Sequence, residues 1–190
     1  MGDKQDLKIL VIIPAKTDST RLPGKNLKEI NGKTLVEHSI DFAKKSKYNP
    51  TIVVSSEARE VKEIADRCGV EFEIRSSYLT GDAEVVDVYI SVAKVMEFDL
   101  PNYFNLVVGL QPDHPDREHS IDHYIDYLVD NNYDDLICIE PSYRRSGSVR
   151  IFKMDHLLKG AVSKRIGTIV DNATDIHYQE DLDKAKKRMK

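Results

Sequence analysis

Apolar residues fall along this chain in two alternating rhythms. Short runs at Leu7–Ile13, Thr51–Ser55, Glu71–Ile74, Phe104–Leu110, Leu136–Ile139, Val149–Phe152 and Ile166–Val170 predict strands. Leu10-Val11-Ile12-Ile13 and Leu106-Val107-Val108 are apolar at consecutive positions, so both faces of these strands should be covered. That is the habit of a central strand in a helix-flanked, largely parallel sheet. Between the runs, apolar positions recur at helical spacing. Val36, Ile40 and Ala43 follow the capping-box spelling Thr34-Leu35-Val36-Glu37. Val61, Ile64, Ala65 and Cys68 form a second stripe, which Gly69 should close as the residue just past the helix. Val85, Val88, Tyr89 and Val92 form a third, and Ile121, Tyr124, Ile125 and Leu128 a fourth. A last helix should start near Gln179 and end in basic residues. Strands alternating with helices predict a three-layer α/β/α, Rossmann-like domain with a mostly parallel sheet and right-handed crossovers. Residues 1–190 read as one domain, with no repeat, low-complexity tract or linker.

Composition narrows the partners. With 41% hydrophobic and 32% charged residues the chain resembles an ordinary soluble protein, and its net charge of -4 does not suggest a nucleic-acid surface. The longest apolar run, Ile9 to Ile13, is far short of a membrane span, and the polar start gives no expectation of a signal peptide. Cys68 and Cys138 read as core thiols, consistent with a reducing cytoplasm.

One loop stands out. Between the first strand and the Thr34 helix lie Lys16, Arg21, Lys25 and Lys28 among Pro14, Pro23, Gly24 and Gly32. Ligands of doubly wound sheets sit beyond the carboxyl ends of strands, where such a loop could surround a triphosphate with donors and positive charge. A solvated basic loop has the same composition. No Walker A spelling is present.

The segment Ile13-Pro14-Ala15-Lys16, then Ser19-Thr20-Arg21-Leu22-Pro23-Gly24-Lys25-Asn26-Leu27 and Ile30-Asn31-Gly32-Lys33, resembles the signature of the cytidylyltransferases that make CMP-activated sugar acids. These are the acylneuraminate cytidylyltransferases and the CMP-Kdo synthetases. Further resemblances follow in order: Val53-Val54-Ser55-Ser56-Glu57, Arg75 with Asp82, Leu110-Gln111-Pro112, and Asp175-Ile176 with Glu180-Asp181-Leu182. The resemblance implies a nucleotidyltransferase fold and transfer of CMP from CTP to the hydroxyl of an acidic sugar, with release of pyrophosphate. A sugar-1-phosphate nucleotidyltransferase and a nucleotide-binding relative with impaired catalysis are the alternatives.

By the same resemblance, Arg21, Lys25 and Asp113 are the catalytic candidates, and Ala15, Lys16, Ser19, Asn26 and Gln111 join Arg21 and Lys25 in holding the nucleotide. Arg75 and Asp82 are candidates for the acceptor. Asp113, in a Q-x-D-x-P turn, with Asp175 and His177, would bind Mg2+, Mn2+ being the alternative. Asp113 also reads as an ordinary turn residue next to a proline, and Asp175 as a residue that caps or precedes the last helix.

Departures from the pattern accompany these matches. Lys16 stands where the family has arginine, and Asp18 where it has a small residue; His177 replaces an aspartate. Relatives insert a few dozen residues between the Leu136–Ile139 and Val149–Phe152 strands, for the sugar acid and the dimer. Here only Glu140–Gly147 remains, which leaves the oligomeric state open. Arg144 and Arg145 could pair a substrate carboxylate, although an exposed basic turn is the simpler reading. His119 and His123, four apart on an expected helix, permit metal binding but have no third ligand nearby in sequence.

Overall fold

In the computed structural model, residues 4–80, 83–160 and 163–190 are described. The main sheet has seven strands. In chain order the strands are β1 (Ile9–Pro14), β4 (Thr51–Ser56), β5 (Glu71–Ile74), β6 (Leu106–Leu110), β7 (Asp135–Ile139), β8 (Arg145–Lys153) and β9 (Ile166–Val170). A separate hairpin, β2 (Glu29–Ile30) and β3 (Lys33–Thr34), lies within the long loop after β1. The sheet order is β5-β4-β1-β6-β8-β7-β9, and β8 alone pairs antiparallel with its neighbours.

Strand β1 has parallel partners on both sides, β4 and β6, and its side chains divide between two cores. Ile9, Val11 and Ile13 face one core with Val36, Ile40 and Ala43 of helix α1 (Leu35–Lys44), helix α2 (Arg59–Cys68) and helix α4 (Ile121–Asp130). Leu10 and Ile12 face the other, built on Val88, Tyr89 and Val92 of helix α3 (Val85–Asp99) and Met154 and Leu157 of helix α5 (Met154–Lys159). Consecutive apolar positions thus report a strand covered on both sides, as the three-layer expectation requires.

The caps follow the local chemistry. Thr34 Oγ1 accepts from the Glu37 amide at 3.2 Å while a Glu37 carboxylate oxygen accepts from the Thr34 amide at 2.8 Å, completing the capping box of α1. Gly69, at φ 64°, ends α2 in the left-handed conformation. His119, by contrast, is not on a helix. Ser120 caps α4 by accepting from the His123 amide, so the expected helical pair straddles the helix start. The two rings nevertheless stack, with centroids 4.5 Å apart.

A third cluster matters most for function. Leu22, Ile30 and Leu35 pack with Ile176 and with Leu182 and Ala185 of helix α6 (Gln179–Arg188). Burying Leu22 contributes about 1.5–3 kcal/mol and pins the basic loop to the C-terminal segment. Among the described residues, no helix is long and apolar enough to cross a membrane.

Candidate active site

The carboxyl ends of β1 and β6 are adjacent in the sheet, and the loops leaving them meet over it. The loop after β1 is fastened at three points. The Ala15 amide donates to the Ser55 carbonyl at 2.9 Å, and the Thr17 amide and hydroxyl both donate to a Glu57 carboxylate oxygen. Asn26 Nδ2 donates to the Lys16 carbonyl at 2.8 Å, drawing the two limbs of the loop together. These contacts fix the backbone path, so the basic side chains start from defined positions.

The turn after β6 is fastened by Arg117. Its guanidinium donates to the Gln111 carbonyl at 2.6 Å and to the Ser148 carbonyl at 3.0 Å, and it lies over the Phe42 ring. The Gln111 side chain fills space left by a missing one: a Cβ at Gly147 would fall 2.4 Å from its Nε2. Further along, Asp116 accepts from the Thr174 amide at 2.7 Å and pairs with Arg188. The Ile176 amide donates to the Asp113 carbonyl. That lacing brings Asp175 beside the turn across more than sixty residues of chain.

Two adjoining hollows result, with Lys16, Ser19 and Lys25 common to both. The first also takes in Asn26, Arg75, Gln111 and Asp113. The second takes in Asp18, Arg21 and His177. Ala15 is buried at the strand end below. Almost every residue expected to serve the site is therefore gathered in one place; Asp82 lies outside the described residues.

Lys25 is the junction. Its Nζ donates to Asp113 Oδ2 at 2.6 Å and to the Ile176 carbonyl at 2.8 Å, and both charged side chains are largely enclosed, at 12% and 14% exposure. Burial alone would push the Asp113 carboxyl up. The bond and charge of His114, together with Lys25, outweigh it and hold the group well below the usual carboxylate range. Arg75 is 7% exposed, donates to the Ser55 carbonyl, and leaves Nε without a partner at the wall of the first hollow. Burial lowers its pKa, with Glu57 and Asp18 opposing. Asn26 Oδ1 is likewise buried and unpaired. A buried, partnerless guanidinium edge and amide oxygen suit a ligand carrying both acceptors and donors.

His114 and Arg117 join the site without a sequence motif that marks them. Their signal was faint: Asp113-His114-Pro115-Asp116-Arg117 is a charged turn broken by a proline, and nothing local says which side chains turn inward. His114, 2% exposed, sits between two carboxylates, 2.8 Å from Asp113 Oδ1 through Nδ1 and 3.9 Å from Asp175 Oδ1 through Nε2. His177 Nε2 is 3.0 Å from Asp175 Oδ2. The Asp175 Oδ1 and His177 Nδ1 atoms are buried without hydrogen-bond partners. Ligand atoms of Asp113, His114 and Asp175 lie within 4.8 Å of one another, a mixed oxygen and nitrogen set of the kind a divalent cation takes, and His177 adjoins it through Asp175.

A basic site over the carboxyl ends of adjacent strands in a mostly parallel sheet is where α/β domains of this kind place their ligands. The chain belongs to the cytidylyltransferase family, whose model matches residues 10–187. It is 35% identical over 115 residues to the CMP-N,N'-diacetyllegionaminic acid synthase of Legionella pneumophila, covering 59% of this chain and 49% of that protein. It is 30% identical over 110 residues to a 3-deoxy-manno-octulosonate cytidylyltransferase of Francisella philomiragia, covering 57% of this chain and 41% of the relative. The matches thus span about half the length of these relatives, or less. The fold is shared with a cytidylyltransferase of Leptospira borgpetersenii (TM-score 0.72, 21% identity, 95% of this chain and 85% of that one). It is also shared with a CMP:2-keto-3-deoxy-manno-octonic acid synthetase solved with CTP (TM-score 0.74, 15% identity, 96% of this chain and 98% of that one).

Proposed function

We propose that this protein transfers CMP from CTP to the hydroxyl of a small acidic sugar, releasing pyrophosphate. One observation carries the reading: Lys25 stands between the two hollows, bonded to Asp113, in a chain of the cytidylyltransferase family. In such a reaction the acceptor oxygen attacks the α-phosphorus and its bond to the bridging oxygen breaks. Negative charge grows on the departing pyrophosphate, so catalysis is mainly positioning and charge neutralisation.

The residues divide accordingly. Lys25, with Arg21 and Lys16, takes the phosphates around the second hollow. Gln111, Asn26 and the backbone at Ala15 hold the nucleoside in the first, where Arg75 supplies a buried cationic edge toward a ligand or acceptor. A divalent cation, Mg2+ or Mn2+, held around Asp113, Asp175 and His177, would supply further neutralisation of phosphate charge.

A binding-only relative is the second reading. It is favoured by the position of Asp18, 3.6 Å from Lys16 in the phosphate hollow, where its negative charge opposes a triphosphate. Purified protein incubated with each nucleoside triphosphate, a divalent cation, and panels of sugar acids and sugar phosphates separates the readings through pyrophosphate release. Release with CTP and a sugar acid is expected. Release with a sugar phosphate moves the protein to the sugar-1-phosphate class, and CTP binding without release leaves the binding-only relative.

A further inference from the structure

Strand β8 does not run evenly past its neighbours. β7 advances from Ile137 to Ile139 while β8 runs from Arg150 back to Arg145, so the surplus residues of β8 bulge. The bulge lies where β6 ends: Leu110 pairs with Val149, and Gln111 comes next. Within it the Ser148 amide donates to Ser146 Oγ at 3.2 Å. Bulges beside functional sites re-aim side chains. This one sets Gly147 against the Gln111 amide, where a Cβ would fall 2.7 Å from Cδ. Stopped on that side, Gln111 lines the first hollow.

Arg117 spans the same junction. Its Nη2 donates to the Gln111 carbonyl, which also accepts from the His114 amide at 3.3 Å. Its Nε donates to the carbonyl of Ser148, the residue after Gly147. One guanidinium therefore sets how far Gln111 stands from the bulge that walls it. Among the described residues that line the two hollows, Gln111 is present and Arg117 is not, so Arg117 reaches a ligand there through Gln111. Burial lowers the pKa of Arg117 against the pull of Tyr124, Asp171 and Asp113, none of which bonds to it. Keeping a charge in such surroundings is costly. A lysine would keep that charge but lose the planar fork, which joins two carbonyls while lying over the Phe42 ring. We propose that Arg117 is a positioning residue of the nucleotide site, holding the Gln111 turn against the β8 bulge so that the Gln111 amide points at the bound nucleoside. The proposal rests on the transfer reading only for what occupies the first hollow.

A double-mutant cycle on the full chain, read by calorimetric titration with CTP, tests it. Arg117→Lys and Gln111→Ala should each lower CTP affinity about tenfold. In the Gln111→Ala protein, Arg117→Lys should cost less than about twofold, because the side chain it positions is gone. Equal losses in the two backgrounds would make Arg117 a general fastening of the fold and overturn the proposal, as would full affinity in either single variant. Phe42→Leu is a milder variant, since it removes the ring beside the guanidinium and keeps both of its hydrogen bonds. It should cost about two- to threefold, and persistence of that loss in the Gln111→Ala protein would overturn the proposal too. A measurement without nucleotide separates the proposal from the transfer reading. The Gln111 side-chain amide resonances of the isotope-labelled chain should stand apart in the unmodified protein and converge on free-glutamine positions in Arg117→Lys. Unmoved resonances would overturn the positioning role even in a protein that transfers CMP. Moved resonances without pyrophosphate release from the unmodified protein would overturn the transfer reading alone.

Discussion

Asp113 accepts from Lys25 and His114, and Asp134 from Arg165, Lys153 and Ser163; both carboxyls ionise well below the usual range. The causes differ in order. For Asp134 the Arg165 guanidinium comes first, with Lys153 and Ser163 behind it, against some loss of hydration. For Asp113, burial opposes ionisation and His114 and Lys25 overcome it. Asp134 precedes β7, at the amino ends of the parallel strands, and its partners come from the last residue of β8 and the segment before β9. Around Asp113, which lines a hollow together with Asn26, the Asp175 Oδ1 and Asn26 Oδ1 atoms are left unsatisfied. A strongly depressed carboxyl therefore does not mark a site by itself; unsatisfied buried polar atoms around it do.

The contrast can be broken by substitution. Lys25→Ala should weaken CTP binding about 100-fold, about 2.7 kcal/mol, since it removes a largely enclosed charge from the phosphate hollow. Calorimetric titration with CTP reads this, and unchanged binding would put Asp113 in the same structural class as Asp134. Melting should fall by only a few degrees, because His114 still holds Asp113. Gly147→Ala should cost about tenfold in CTP affinity, since the new methyl must displace the Gln111 amide; the flexible end of Gln111 lets the fold tolerate it. Wild-type affinity in that variant would remove Gln111 from the site.

Asp134→Asn should leave nucleotide binding alone and lower stability by about 1 kcal/mol at pH 7, discounted because Arg165 is half exposed. Its folded pKa lies below the unfolded one, so its contribution is present above about pH 4 and is lost as pH falls further. Urea denaturation of both proteins at pH 7 and pH 3 should show the difference shrinking in acid; a constant difference would assign the effect to something other than ionisation. The smallest effect is expected of Asp18→Ser, which removes a negative charge from the phosphate hollow and should tighten triphosphate binding about two- to threefold. Weaker binding would make the Lys16–Asp18 pair a positioning device for Lys16.

Much of this was legible in the sequence where one residue type answers one physical demand. Consecutive apolar residues in β1 gave a strand covered on both faces, Thr34 and Glu37 gave a cap, and Gly69 gave a helix end. The basic loop announced its composition, and the structure places Lys16, Arg21 and Lys25 around adjoining hollows. The hairpin of β2 and β3 has strands of only two residues, too short for a period, and its signal is confined to Asn31 and Gly32, at φ 52° and 75°, the pair such a turn asks for. Helix α5 is six residues long, too short to show a period. β8 starts at Arg145, ahead of the expected Val149, because its first residues alternate without a strong apolar signal. The inward turn of His114 and the Asp113–Asp175 proximity depend on chain segments more than sixty residues apart, which no local pattern encodes.

The central position of β1 has one further consequence, in the making of the chain. Ile9 pairs with Leu106, and the Lys8 amide with the Asn105 side chain, so one edge of the most apolar strand stays open until nearly a hundred later residues exist. At about 5–20 residues per second of synthesis, that wait is about 5–20 s. During it, an unpaired strand edge with two apolar faces is available to any other chain. Substitutions that slow the docking of β6 should therefore show themselves as lost yield in the cell, before any change in the finished protein can be measured.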